Sequence, residues 1–407
     1  MKTITVNGGR ALFGTVSVQG SKNAALPIIF ATLITHGVSA IKHFPDIGDT
    51  RVAIRIIERL GARVKLLSGT LYVDTRSLSY SEPDQSDLCK IRASTYLLGS
   101  MLSRFGRCTI SSFGGCAFSA RPIDMHIDAC IAFGANQFGE ALIAKELIPT
   151  EISFKKCSVG ATINALILAA ATEGVSVIRG YAKEPHVLSL IDFLRSAGGK
   201  ITVDNEKITV VGGELHGGEV SVIGDMIEAG SYLTAGLVSG GCVSVRGAER
   251  EHLDSYLKAL AELGVENSFS GDSISTSLTN FTNPVNIIAE PYPAFATDLQ
   301  PIIAPLLSLS SGGSITDKVW GGRYGYLSTL SEFGLKYKVE NGTAYIEKSE
   351  IHPASVIAPD LRGGMAALLL ALSAEGVSKI SRAEQILRGY ENLIYKLRTV
   401  GADVSID

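Results

Sequence analysis

The sequence predicts an α/β protein of two similar domains, each built from three copies of one helix-and-strand unit. Two series of glycines carry this prediction. Gly37, Gly106, Gly174, Gly241, Gly313 and Gly376 each separate an apolar, helix-like segment from a β-rich run, at spacings of 69, 68, 67, 72 and 63 residues. Gly61, Gly134, Gly198, Gly264, Gly334 and Gly401 each close a second helical pattern, at spacings of 73, 64, 66, 70 and 67 residues. Two independent registers sharing a period of roughly 68 residues mark an internal repeat. A length of 407 residues is ample for two cores, and six units divide into three plus three.

The first unit, Ser21 to Asp74, sets the pattern. Ala24, Ala25, Leu26, Ile29, Phe30 and Leu33 are dense enough for a helix buried on all sides, and Gly37 stands where a left-handed turn ends it. The second helix is amphipathic, with Val52, Ile54, Ile57 and Leu60 set among Arg51, Arg55, Glu58 and Arg59, and Gly61 closes it. Alternating runs such as Ile208 to Val211 supply the strands. Met1 to Gly20 precedes the first complete unit and is expected to lend a strand to the last one, which stops early at Asp407. The predicted domains are therefore 21–228 and 1–20 plus 229–407, with the chain crossing near residues 20 and 228. A cleft between two domains is the expected ligand site.

Composition excludes several classes. Apolar residues make up 46% and charged residues 19%, so the chain is neither disordered nor collagen-like. Thirty-seven basic against 40 acidic residues leave a net charge of −3, which gives no sequence-wide attraction to nucleic acid or anionic membrane. Strictly apolar runs such as Met365 to Leu372 are far short of a bilayer span. No secretory leader is read at the N-terminus, so the cytosol is the expected compartment. The six cysteines contain no C-x-x-C pair, which argues against a zinc knuckle or redox dithiol.

Reactive side chains recur at one place in the repeat. Lys22, Arg92, Gly160, Asp298 and Arg362 lie 15, 14, 14, 15 and 14 residues before the first-register glycine of their own units. Arg121, Glu184, Arg323 and Arg388 sit in the following loops. Helix starts offer unpaired N–H groups and a positive dipole end, and adding basic side chains there suits a small ligand with phosphate and carboxylate groups. Ser158 to Thr162 can form an N–H nest flanked by Lys155 and Lys156. Read singly, each basic residue is more often a helix-end charge or a surface ion pair; their shared place in the repeat weakens that reading for the set. Cys116 lies in a glycine-led loop near Arg121, where a thiol of lowered pKa can act as acid or nucleophile; taken without context, a buried inert thiol is the more frequent case. The other five cysteines read as inert strand or helix residues. Asp298 opens a helix, either as its cap or as a general base. His126 and His186 read as ordinary polar side chains.

Taken together, Gly20-Ser21-Lys22-Asn23, Arg92-Ala93-Ser94, Gly114-Gly115-Cys116, Arg121-Pro122-Ile123-Asp124-Met125-His126, Ser158-Val159-Gly160-Ala161-Thr162, Glu184-Pro185, Thr297-Asp298, Asp360-Leu361-Arg362 and Arg388-Gly389-Tyr390-Glu391 resemble the enolpyruvyl transferases along the whole chain. The resemblance implies two inside-out α/β barrel-like domains of three units each. It implies transfer of the enolpyruvyl group of phosphoenolpyruvate to a uridine nucleotide sugar, with release of phosphate and with no metal or organic cofactor. The implied acceptor is UDP-N-acetylglucosamine, at the first committed step of peptidoglycan precursor synthesis. Carried over by motif, Lys22, Arg121 and Arg388 hold the phosphate of phosphoenolpyruvate, and Arg323 and Arg362, beside Asp360, its carboxylate. Cys116 is the thiol that protonates the methylene carbon and the target of fosfomycin; Asp298 takes the proton from the attacking hydroxyl. Asn23 and Arg92 contact the acceptor, Arg121, Pro122, Asp124 and His126 the uridine, and Lys156 with Ser158, Val159 and Gly160 the diphosphate. Family members can act as monomers.

Three departures from the family pattern fall near the acceptor. Trp320-Gly321-Gly322-Arg323-Tyr324-Gly325-Tyr326 stands where the family usually reads Glu-Asn-Arg, keeping the arginine and losing the acid; Asp225-Met226-Ile227-Glu228 replaces Asp-Arg-Ile-Glu, and Ala296 stands where proline often precedes Thr-Asp. They leave open a transferase acting on another uridine nucleotide such as UMP, and a weakly active nucleotide-binding paralogue.

Overall fold

The computed structural model describes residues 1–110, 114, 122–278 and 283–407. The chain divides into two compact units: a continuous one, Gly20–Ile223, and a split one made of Met1–Gln19 and Gly224–Asp407.

Each unit has three apolar helices at its centre. In the continuous unit these are Lys22–Ala31, Leu97–Phe105 and Val159–Ala171; in the split unit they are Met226–Val238, Gln300–Leu309 and Leu361–Ser373. Every residue from Ile227 to Val238 and from Leu361 to Leu372 is buried. Helices apolar on every side are stable only when wholly enclosed, and small residues such as Gly230, Gly363 and Gly364 let their neighbours approach closely. In the split unit the three helices pack on one another. Asp225 and Asp360 start two of them by accepting two first-turn N–H groups each, at 2.9 and 3.1 Å and at 2.8 and 2.9 Å.

Sheets wrap these helices, one per repeat. Among the described residues, five have four strands and one has three. In the first, Val38–Lys42 pairs antiparallel with Thr70–Asp74, which pairs with Arg63–Leu67, while Glu219–Ser221 joins the other edge in parallel. Alternate residues point to the helices and to solvent, so Ile4 and Val6 are buried between exposed or half-buried neighbours. The N-terminal segment lends a strand to the last repeat as expected: Thr3–Gly8 lies antiparallel between Gly376–Ser381 and Asp403–Ile406. It also lends a second strand, since Phe13–Ser17 runs parallel to Cys242–Arg246.

Eleven of the twelve register glycines have positive φ, from 70° at Gly106 to 159° at Gly313. The exception is Gly241; its neighbour Gly240 takes the left-handed turn at φ 73°, and Gly241 is instead pressed against the backbone of Leu12. On the amphipathic helix Gly48–Arg59, Ile56 rather than Ile54 completes the buried stripe with Val52 and Ile57. Two cysteines expected to be buried are exposed: Cys89 follows a four-residue helix, Gln85–Leu88, and Cys157 lies in the loop before Ser158. No helix among the described residues is long and apolar enough to cross a membrane.

Candidate active site

Each unit gathers part of the predicted set. In the split unit the gathering point is Asp298. Its Oδ1 accepts from Arg323 Nη1 at 2.7 Å, and its Oδ2 accepts from Arg362 Nη2 at 3.0 Å and Nε at 3.3 Å. Asp298 does not cap the following helix, as one sequence expectation had it. That helix begins at Gln300 behind Leu299, and the carboxylate turns to the two guanidiniums, which outcompete neutral N–H donors.

A scaffold fixes the arginines. Arg323 lies between the strand Gly313–Asp317 and the helix Tyr326–Ser331, and its Nη1 also reaches the Thr297 carbonyl at 3.2 Å. Thr297 in turn donates to Asp317 Oδ2 at 2.6 Å, while Asp317 Oδ1 accepts from the N–H groups of Val319 and Trp320. This Asx-type turn shapes the loop that carries Arg323. Arg362 is the second residue of its helix, which Asp360 caps. Burial alone would pull the Arg362 guanidinium down, but Asp298, Tyr390 and Asp225 outweigh it and hold the charge above its ordinary range. The Tyr390 ring centre lies 5.9 Å from that guanidinium, and burial pushes its hydroxyl up to about 12. Arg388 donates to Gln385 Oε1 at 3.2 Å.

In the continuous unit Lys22 opens its helix and pairs with Asp49 at 3.5 Å, Asn23 follows it, and both acid and base are largely buried. Arg92 begins a short turn and donates to the Pro122 carbonyl at 3.4 Å, tying this arginine to the segment that carries Asp124 and His126. Asp124 is exposed at the start of the helix Asp124–Ala132, whereas His126 is buried. Ser158 caps the helix Val159–Ala171 through Ala161 N at 3.3 Å, with Gly160 in the first turn and Lys156 exposed just before it. Cys116 and Arg121 lie outside the described residues.

Sequence reasoning passed over several residues. Asp317 carried a weak signal, an acid at a strand end before a polar loop. Asn164, buried mid-helix, carried none. Tyr326, at the end of the glycine-rich departure, has a buried hydroxyl with no hydrogen-bond partner among the described residues, pushed well above its ordinary range by burial.

The family model EPSP synthase (3-phosphoshikimate 1-carboxyvinyltransferase) matches residues 6–397. UDP-N-acetylglucosamine 1-carboxyvinyltransferase 2 of Clostridium acetobutylicum is 39% identical, covering 99% of each chain. The Lactococcus lactis protein of the same name is 35% identical over 100% of this chain and 99% of its own. Among solved structures, the enolpyruvyl transferase NikO from Streptomyces tendae has the same fold, with a TM-score of 0.90 at 24% identity over 100% and 98% of the two chains. EPSP synthase from Acinetobacter baumannii matches with a TM-score of 0.72 at 16% identity over the whole of both. With a family match across nearly its full length and relatives sharing more than a third of its residues, the chain belongs to the EPSP synthase family and is a carboxyvinyl (enolpyruvyl) transferase.

Proposed function

We propose that this chain transfers the enolpyruvyl group of phosphoenolpyruvate to the 3-hydroxyl of UDP-N-acetylglucosamine in the cytoplasm, releasing phosphate. The observation that carries the reading is that relatives 35–39% identical across at least 99% of the chain bear the name of that activity. In the split unit, Arg323 and Arg362 are the guanidiniums for the carboxylate of phosphoenolpyruvate, Arg388 binds its phosphate, and Asp298 is the base. In the continuous unit, Lys22 and Arg121 bind phosphate, Cys116 is the acid, and Asn23, Arg92, Pro122, Asp124, His126, Lys156 and Ser158 to Gly160 take the acceptor. The hydroxyl adds to C2 of phosphoenolpyruvate as C3 gains a proton; loss of phosphate and of one C3 proton then leaves the enolpyruvyl ether. Fixed guanidiniums beside the developing cationic centre and its two anionic groups lower the barrier by holding their charge in place.

A second reading, transfer to another uridine nucleotide such as UMP, draws on one feature. Gly321 and Gly322 have φ of 45° and 114°, and among the described residues a Cβ at either would meet nothing within 4 Å, where the resemblance has family members carrying Glu and Asn side chains. Phosphate release from phosphoenolpyruvate, run with UDP-N-acetylglucosamine, with UMP and with neither, separates the readings. Release with the amino-sugar nucleotide alone is expected. Release with UMP alone would transfer the assignment to the second reading, and release with neither would remove both.

A further inference from the structure

Asn164 sits in the middle of the apolar helix Val159–Ala171, wholly buried, and every polar atom of its amide is engaged. Its Oδ1 accepts from the backbone N–H of Gly99 at 2.8 Å. Its Nδ2 lies 3.1 Å from the Thr95 carbonyl, 3.3 Å from the Gly160 carbonyl and 2.8 Å from His126 Nδ1. A backbone N–H only donates and a carbonyl only accepts, so these neighbours fix which end of the amide is oxygen and which is nitrogen. Nδ2 is therefore the donor to His126, and His126 Nδ1 is the acceptor. A neutral imidazole whose Nδ1 accepts carries its proton on Nε2.

The position of that Nε2–H is also fixed. The ring is pressed against Gly160, where an added Cβ would lie 2.7 Å from Nε2 and 2.4 Å from Cε1. Nε2 thus stands beside Gly160, in the first turn of the Val159–Ala171 helix. Gly99 has the matching role behind Asn164: a Cβ there would come within 2.8 Å of Oδ1. Burial pushes His126 down to about 4, with the Arg92 charge adding to the effect and Asp124 opposing it, so the ring is neutral at physiological pH.

We propose that Asn164 is a positioning residue that locks His126 as the Nε2–H tautomer, presenting a fixed, neutral donor beside the helix start to the uridine diphosphate end of the acceptor. The donor role rests on the acceptor reading given above. The tautomer itself does not, and the two are measured separately.

The test uses the full chain with 15N-labelled histidine, the His126 signal being assigned by its loss in His126→Gln. Near pH 7 the wild type is expected to show Nδ1 unprotonated and Nε2 protonated. Asn164→Asp keeps the acceptor for Gly99 but replaces the donor with a carboxylate oxygen. It is expected to draw a proton to Nδ1 and to weaken UDP-N-acetylglucosamine binding about tenfold, the ratio one ordinary hydrogen bond gives, with the KM for phosphoenolpyruvate unchanged. A wild-type ring protonated on Nδ1 overturns the proposal without any variant, so misfolding of Asn164→Asp leaves the test decided. A folded Asn164→Asp with the switched tautomer and unchanged nucleotide affinity overturns the positioning role. A wild type with the expected tautomer that binds no uridine nucleotide overturns the acceptor reading and the donor role with it.

Discussion

Asp298 Oδ1 and Arg323 Nη1 lie 2.7 Å apart, and the guanidinium is the more deeply buried partner, 6% exposed against 27% for the acid. Arg362, on the other carboxylate oxygen, is 4% exposed. Two buried cations thus share one accessible anion, so a carboxylate on an incoming ligand can replace Asp298 and release it to accept a proton. Asp298→Asn keeps the shape but removes the charge and the basicity. Turnover is expected to fall by about a hundredfold or more, the usual size of a lost general base, while UDP-N-acetylglucosamine binding changes little. Phosphate release and nucleotide titration measure the two quantities, and turnover within a few-fold of the wild type removes Asp298 from the mechanism.

Much of this architecture is legible in the glycines, because a helix followed at once by a strand needs a left-handed residue, and eleven of twelve register positions supply one. The same pattern cannot say that Gly240 rather than Gly241 makes the fourth turn, since that choice depends on how tightly Gly241 meets Leu12, a residue distant in sequence. Charged helix starts were visible for the same repetitive reason. The Asp298 pairing was not, because Arg323, in a loop, and Arg362, on a helix, come from different repeats and meet Asp298 only once those repeats are packed together. Asn164 was hidden by its surroundings: a polar residue within Ile163 to Ala171 looks like an interruption until the four groups around its amide are assembled.

Cys116 makes a chemical prediction that follows from the family resemblance. A loop thiol that attacks fosfomycin as thiolate is lost on replacement by a hydroxyl, whose proton is far harder to remove. Cys116→Ser is expected to lose all time-dependent inactivation by fosfomycin while the wild type is inactivated, as followed by residual phosphate release and by the mass of the modified chain. A variant inactivated at the wild-type rate would reassign the thiol.

The contact between His126 and Gly160 makes a steric one. With 2.4 Å between an added Cβ and Cε1, Gly160→Ala forces the ring or the helix start to move. Overpacking of this kind costs about 1–3 kcal/mol, which for a unit of this size lowers Tm by several degrees. The penalty is expected to shrink when the ring is absent, so Gly160→Ala should cost less in a His126→Ala background than alone. Circular dichroism melts of the four chains give the coupling, and equal costs in the two backgrounds would mean that the ring yields freely.

Glu228 makes the pH prediction. It is 1% exposed; its Oε1 accepts from Lys396 Nζ at 2.8 Å and its Oε2 from the Gln19 N–H at 2.6 Å. Burial pushes its carboxyl up to about 7, with Lys396 and the Gln19 N–H opposing. An acid whose folded pKa lies above its unfolded value holds a proton that the unfolded chain has already released. Its contribution is therefore fully present below about pH 4.5 and is lost as pH rises through about 7. Lys396→Met removes the opposing charge, so the loss continues to higher pH, and the destabilisation at pH 8 is expected to reach about 3 kcal/mol and to exceed that at pH 5. Adding Glu228→Gln leaves a carbonyl for the Gln19 N–H and no buried charge, and should restore most of the loss at pH 8. Trp320 is the only tryptophan in the chain and belongs to the same unit, so its fluorescence in urea titrations reports this transition. An equal destabilisation of Lys396→Met at pH 5 and pH 8 would mean that Glu228 does not titrate in this range.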